Sequence, residues 1–123
     1  MDLSLLISSD TAECVIKNPH NGKPTDISIT LYGMDSDTFR NTMKAAQATA
    51  LKLKAEGKEP PEGKEVDAAR LAELTKGWVG IVEGGKAVQF SKQSAVDIYT
   101  RSDEIRRQVD RFIFTVGNFL PKA

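Results

Sequence analysis

The sequence predicts an α+β fold: a mainly helical single domain over residues 1–123, with a small N-terminal β-hairpin and a second short hairpin between helices. Three observations predict it. Ile27, Ile29 and Leu31 alternate with Ser28 and Thr30 just after an Asn21-Gly22 turn signal. Apolar residues recur at spacings of three and four over residues 35–57, 66–78, 92–101 and 103–120. Between the second and third of these stretches, Gly84-Gly85 interrupts two short strand-like runs.

The elements follow in order. Residues 1–11 carry Leu3, Leu5, Leu6 and Ile7 and then turn polar, which fits a docked strand or a flexible arm. "AECVIKNP" and "TDISITLYG" bracket "HNGK" and form the first hairpin, with one face of its second strand buried. "DSDTFRNTMKAAQATALKLKAEG" is a long helix. Asp35 or Ser36 caps its start, Phe39, Met43, Ala46, Ala50 and Leu53 share a face, and Gly57 stops it. Lys52 and Lys54 sit where the helix dipole favours positive charge, and the alanines imply a close neighbour.

Residues 57–65, "GKEPPEGKE", cannot continue a helix through Pro60-Pro61 and read as a mobile interhelical loop. "VDAARLAELTKGW" is read as helical, with Leu71, Leu74 and Trp78 on one side. "GIVEGGKAVQF" makes the second hairpin. Ser91 then caps a helix that turns Ala95, Ile98 and Tyr99 inward. Ser102 caps the last helix, whose stripe is Ile105, Val109, Phe112, Ile113 and Val116, with Asp103 and Glu104 in its first turn.

Totals narrow the function classes. Seventeen basic residues balance seventeen acidic ones, so no bulk field draws the chain to nucleic acid or to an anionic membrane. No run reaches transmembrane length, and Asp2 stands where a signal peptide carries positive charge. Cys14 is the only cysteine, which precludes an internal disulfide and points to a reducing compartment, the cytosol. His20 is the only histidine, beside a turn and without a second ligand, so it reads as solvated and no metal site is expected. Cys14 reads as a buried strand thiol.

The best catalytic look-alike is "GIVEGGK", residues 80–86, which matches G-x-x-x-x-G-K. A phosphate loop needs a Ser or Thr after the lysine and a helix beyond it. Here Ala87 replaces the hydroxyl and "AVQF" is strand-like, so Gly84-Gly85 is expected to serve a hairpin turn and no cofactor is expected. The carboxylate pairs Glu62/Glu65 and Asp103/Glu104 read as loop solvation and helix capping. Arg106, Arg107 and Arg111 interleave with Asp103, Glu104 and Asp110, the pattern of a solvated face. At ~100° per residue, Phe114 lies almost opposite the last helix's stripe, facing either a second internal layer or a partner. Phe119 and Leu120 return to the stripe, as core cover or as a sticky end.

The C-terminal half has a family look. Leu71 and Leu74 lead into Gly77-Trp78, a small hairpin ends in Phe90-Ser91, and Ala95 and Tyr99 follow. The last helix carries arginine, Gln108-Val109-Asp110 and a closing Asn118-Phe119-Leu120. Over about the last 55 residues this resembles the tail assembly chaperones of long-tailed bacteriophages; the first half shares only the layout of a hairpin and a long helix. The resemblance implies a non-enzymatic role: holding the tape-measure protein soluble while tail tube subunits polymerise around it, in the host cell cytoplasm and not in the mature virion. It also implies the tail tube protein as a further contact and a longer product made by translational frameshifting, with which a slippery codon run at Leu120-Pro121-Lys122 is compatible. A client-binding surface needs exposed apolar residues on a soluble body. The candidates by position are Phe114, Phe119, Leu120, Leu5, Leu6 and Ile7, and self-association is a further option. Two other readings stand beside this one: a small adaptor that docks a partner through its C-terminal helix, and, more remotely, a nucleotide-binding enzyme.

Overall fold

The computed structural model of the chain describes residues 1–121. It opens with a 3-10 turn, Leu3–Leu6, capped by Asp2, whose carboxylate accepts the Ser4 backbone N–H at 2.9 Å. Of residues 1–11, only Thr11 belongs to a strand. The turn is local, and the chain beyond it is tied down: Ser8 Oγ donates to the Asp35 carboxylate at 2.7 Å, and Ser9 N–H donates to Phe119 O at 2.7 Å.

Strands β1 (Thr11–Lys17) and β2 (Pro24–Tyr32) form the first hairpin around residues 18–23, with Cys14 opposite Ile29. Gly22 supplies the positive φ, +71°, that this turn requires. Helix α1 (Asp37–Ala55) starts at Ser36, whose Oγ accepts Phe39 N–H at 3.1 Å while donating to Gly33 O at 2.7 Å. It stops as expected at Gly57. Gly57 N–H returns to Lys54 O and Lys58 N–H to Leu53 O, the paired bonds of a Schellman stop.

Helix α2 (Lys64–Glu73) ends earlier than its apolar spacing implied. Thr75–Val79 is instead a strand, β3, which pairs antiparallel with the far edge of β2 and makes a three-stranded sheet of order β1-β2-β3. Leu71 and Leu74 are buried from α2 and its last turn. Trp78, however, reaches the core from the strand, opposite Ile29. The helical spacing misled because Thr75, Trp78 and Val79 are strand formers, Gly77 breaks a helix, and the β2 edge offers unpaired backbone groups. The N-terminal hairpin is thus two-thirds of a sheet completed from the second half of the chain.

Strands β4 (Val82–Glu83) and β5 (Lys86–Ala87) form the second hairpin, with Gly84 and Gly85 at φ +58° and +80°. Two consecutive positive φ values are what a tight two-residue turn demands. Helix α3 (Lys92–Arg101) begins in a reciprocal Ser91–Ser94 capping box. Helix α4 (Asp103–Ile113) begins at Ser102, whose Oγ accepts Ile105 N–H at 3.2 Å.

The last helix does not continue to residue 120. It closes at Phe114, and a 3-10 turn, Val116–Phe119, follows. Thr115 Oγ1 takes the carbonyl of Arg111 at 2.7 Å and Asn118 Nδ2 takes that of Phe112 at 3.0 Å. These side chains satisfy carbonyls that a further turn would have used. Val116, expected in the buried stripe, is consequently exposed.

The core forms where the sheet meets the three later helices: Cys14, Ile29 and Leu31 against Leu71, Leu74, Tyr99, Val109 and Ile113. Each fully buried aliphatic side chain there contributes about 1.5–3 kcal/mol of transfer free energy. One polar pair lies inside it. Thr75 Oγ1 donates its only proton to Leu71 O at 2.8 Å, so the Tyr99 hydroxyl, 2.6 Å away, donates to Thr75 Oγ1. Burial raises the Tyr99 pKa and keeps that proton in place.

Candidate protein-interaction site

The residues with catalytic interest fall apart in space. Lys86 is exposed on β5, two residues of turn away from its pairing partner Glu83. Gly80, the first glycine of the phosphate-loop look-alike, has φ +87° and lies so close to β2 that an added Cβ would stand 2.0 Å from Asp26 O. Its glycine is a packing requirement of the sheet edge. Cys14 is buried, and desolvation pushes its thiol up to about 11, which keeps the nucleophilic thiolate scarce near neutral pH. His20 is exposed on the 18–23 turn, where its backbone N–H donates to Asn18 Oδ1 at 2.9 Å. Among the described residues, no group of three His, Cys, Asp or Glu is placed to hold a metal.

The charged residues form local pairs. Arg101 binds Glu83 and Asp97 together, at 2.6 and 2.8 Å, and so fastens the β4–β5 hairpin to the end of α3. Its hydrogen bonds hold both carboxyls below the usual range. Arg106 pairs with Asp103 at 2.6 Å and donates to Tyr99 O at 2.7 Å, while Arg107 pairs with Glu104 at 2.9 Å. The hydrogen bond from Arg106 lowers the Asp103 pKa, and hydrogen bonds from Gln108 and then Arg107 lower that of Glu104. The mixed signs are those read from the sequence, but the face is not solvated throughout, because the Arg106 side chain is only 16% exposed.

The apolar candidates divide. Phe114 is 52% exposed and packs edge-to-face on Phe39, with ring centroids 5.9 Å apart. Leu6 and Ile7 are exposed, and Leu5 and Leu120 are half-buried. Phe119 is only 4% exposed, which corrects its place among surface residues. Its ring stands over Gly33, where a Cβ would come within 2.7 Å, and meets Phe112 edge-on at 5.5 Å. A small cleft lined by Ser8, Met34, Val116 and Phe119 joins the N-terminal segment to the end of α4. The Ser8–Asp35 and Ser9–Phe119 bonds hold that junction. Exposed Ile7, Phe114 and Val116 therefore belong to one end of the molecule, around a seam that the sequence offered only as separate fragments.

A second apolar feature lies between α1 and α2. The expected α1 face, Phe39 to Leu53, is half-buried throughout, and no residue of the helix is fully buried. Ala46 and Ala50 look across an open groove of about 340 Å³ at Pro60, Pro61, Val66 and Ala69. The close neighbour implied by the alanines is absent: the proline-bearing loop 57–63 and one face of α2 stand across the groove without burying any residue of α1.

Sequence reasoning also missed the free edge of β1. A groove of about 540 Å³ runs beside it, walled by Glu104, Gln108 and Arg111 of α4. The signal for an edge lies in the third strand, whose apolar spacing fits a helix. Among the described residues no helix is long and apolar enough to cross a membrane. Lys122, in the Leu120-Pro121-Lys122 stretch, lies outside the described residues. The chain matches no protein-family model, and comparisons with curated proteins and with solved structures return no significant match.

Proposed function

We propose that this chain is a tail assembly chaperone that keeps a tape-measure protein soluble through protein–protein contacts while the tail tube assembles in the host cytoplasm. The observation that carries the reading is the apolar end built from Ile7, Phe114 and Val116 on an otherwise charge-balanced body. A long, partly apolar helical client needs such a surface to shield it from aggregation. The family-like residues also support it by acting as one unit. Trp78 donates from Nε1 to Val88 O at 2.9 Å and meets Phe90 edge-on at 5.1 Å, so the Gly-Trp segment, the hairpin and the aromatic before Ser91 lock together.

Co-expression with the cognate tape-measure protein tests the proposal. The chaperone should raise the soluble fraction of that client severalfold; equal solubility with and without it would sink the reading. Phe114→Ser should weaken client capture while lowering stability by only about 1 kcal/mol, the worth of one exposed aromatic pair. A gene lying between the tail tube and tape-measure genes separates this reading from a general adaptor.

A further inference from the structure

We infer that two copies of this chain pair through their β1 edges, antiparallel and two-fold symmetric about Val15, to make one continuous six-stranded sheet. The inference holds whether or not the chain is a chaperone, because it rests on a different surface.

The backbone polarity of β1 comes first. Asp10 O accepts Gly33 N–H at 2.9 Å, Ile16 O accepts Thr25 Oγ1 at 2.6 Å, and Asn18 N–H donates to Lys23 O at 2.8 Å. Even-numbered residues thus turn their backbone groups toward β2, and Glu13, Val15 and Lys17 turn theirs toward the open groove. Only Lys17 is met there by a side chain of α4: its N–H donates to Gln108 Oε1 and its carbonyl accepts Gln108 Nε2, both at 2.8 Å. The Gln108 amide imitates one residue of a neighbouring strand. Glu13 and Val15 present the same geometry without that surrogate, and an unprotected edge of this kind is a template for another strand.

Charge then selects the occupant. Glu13, Val15 and Lys17 alternate on the exposed face of β1, and Val15 is 43% exposed. A two-fold axis through Val15 sets Glu13 of each copy opposite Lys17 of the other and lays the two valines together. Opposite charges directly across a strand pair stabilise it, and moving the axis to Glu13 would oppose two carboxylates. The helix wall repeats the pattern. Gln108 lies beside Lys17 and the Phe119 carbonyl beside Ser9, so α4 runs antiparallel to β1. The same axis makes the two α4 helices antiparallel, bringing Glu104 of one toward Arg111 of the other. Both elements are self-complementary about one axis, as an isologous interface requires. Formation exchanges the two Gln108 bonds at Lys17 for two backbone bonds to Glu13 of the second copy.

Sedimentation equilibrium of the full chain tests this. The wild type should pass from one copy to two as concentration rises. Glu13→Lys sets like charges opposite twice and should weaken the dimer at least tenfold, and the double variant Glu13→Lys/Lys17→Glu should restore it. Val15→Pro removes an outward N–H that β2 does not use, so it should abolish the dimer while circular dichroism stays native. Gln108→Ala should strengthen the dimer by removing the competing surrogate. A chain that stays monomeric into the millimolar range, or a dimer indifferent to Val15→Pro and to the charge reversal, overturns the inference.

Discussion

Helix α1 runs 19 residues and fully buries none of them; α3 runs 10 and buries Ala95, Ile98 and Tyr99. The two helices are stable for different reasons. Alanine, lysine, leucine and methionine, strong helix formers, fill much of α1, with a serine cap at one end and a glycine stop at the other. It is built to be a helix with little help from neighbours. Val96, Ile98, Thr100 and Ser94 make α3 a poor helix by propensity, and packing against α2 holds it instead. Lys92 adds to that joint, reaching the last carbonyls of α2 at 3.3 and 3.4 Å and pairing with Glu73 at 3.1 Å. The difference places the cooperative core in α2, α3, α4 and the sheet, and leaves α1 as a self-supporting projection.

The sharpest way to break this contrast is at Tyr99. Tyr99→Ala empties the largest fully buried side chain and removes the donor to Thr75 Oγ1, and should cost about 3–5 kcal/mol in denaturant unfolding. A loss near 1 kcal/mol would mean that α3 is not at the centre of the core. Next comes Gly80→Ala, which adds a Cβ against Asp26 O at a positive φ and should cost more than about 1 kcal/mol. An unchanged unfolding midpoint would show that the β3 end is not pinned to β2.

Acid should act more gently. Glu83, Asp97, Asp103 and Glu104 all titrate lower in the folded chain, through the hydrogen bonds described. Their stabilisation is therefore complete above the ordinary carboxylate range, about pH 4, and is lost as pH falls through their lower folded values. The thermal midpoint should be level from about pH 7 to 5 and fall below about pH 4. A midpoint rising on acidification would have the wrong sign. The smallest effect is expected at Leu51→Ala, 68% exposed on α1, which should shift stability by no more than about 0.5 kcal/mol. A loss of 2 kcal/mol or more there would place α1 in the core after all.

The sequence was legible where local chemistry decides. Ser36, Ser91 and Ser102 cap their helices, Gly57 and Gly84-Gly85 stop and turn the chain, and Ala95, Ile98 and Tyr99 face inward, all as their spacing implied. It misled where a distant partner decides. The spacing of Leu71, Leu74 and Trp78 fits a helix, and the open edge of β2, helped by strand-forming Thr75 and Val79 and by Gly77, pulls Thr75–Val79 out of it. The end of α4 is set by Thr115 and Asn118 side chains that no periodicity registers. Of the proposed surface, Phe114 was legible as the apolar residue off the stripe. Phe119 was not, because the flat space above Gly33 that receives its ring is a tertiary feature.

The bond between Ser9 and Phe119 sets the segment before β1 beside the 3-10 turn that follows α4. A circular permutant that links these two segments and opens the 18–23 turn should keep the core contacts of the sheet with α2, α3 and α4. It would also close off the end that carries Ile7 and Val116. The same protein fused at either end to a bulky reporter would report on that surface by obstructing it.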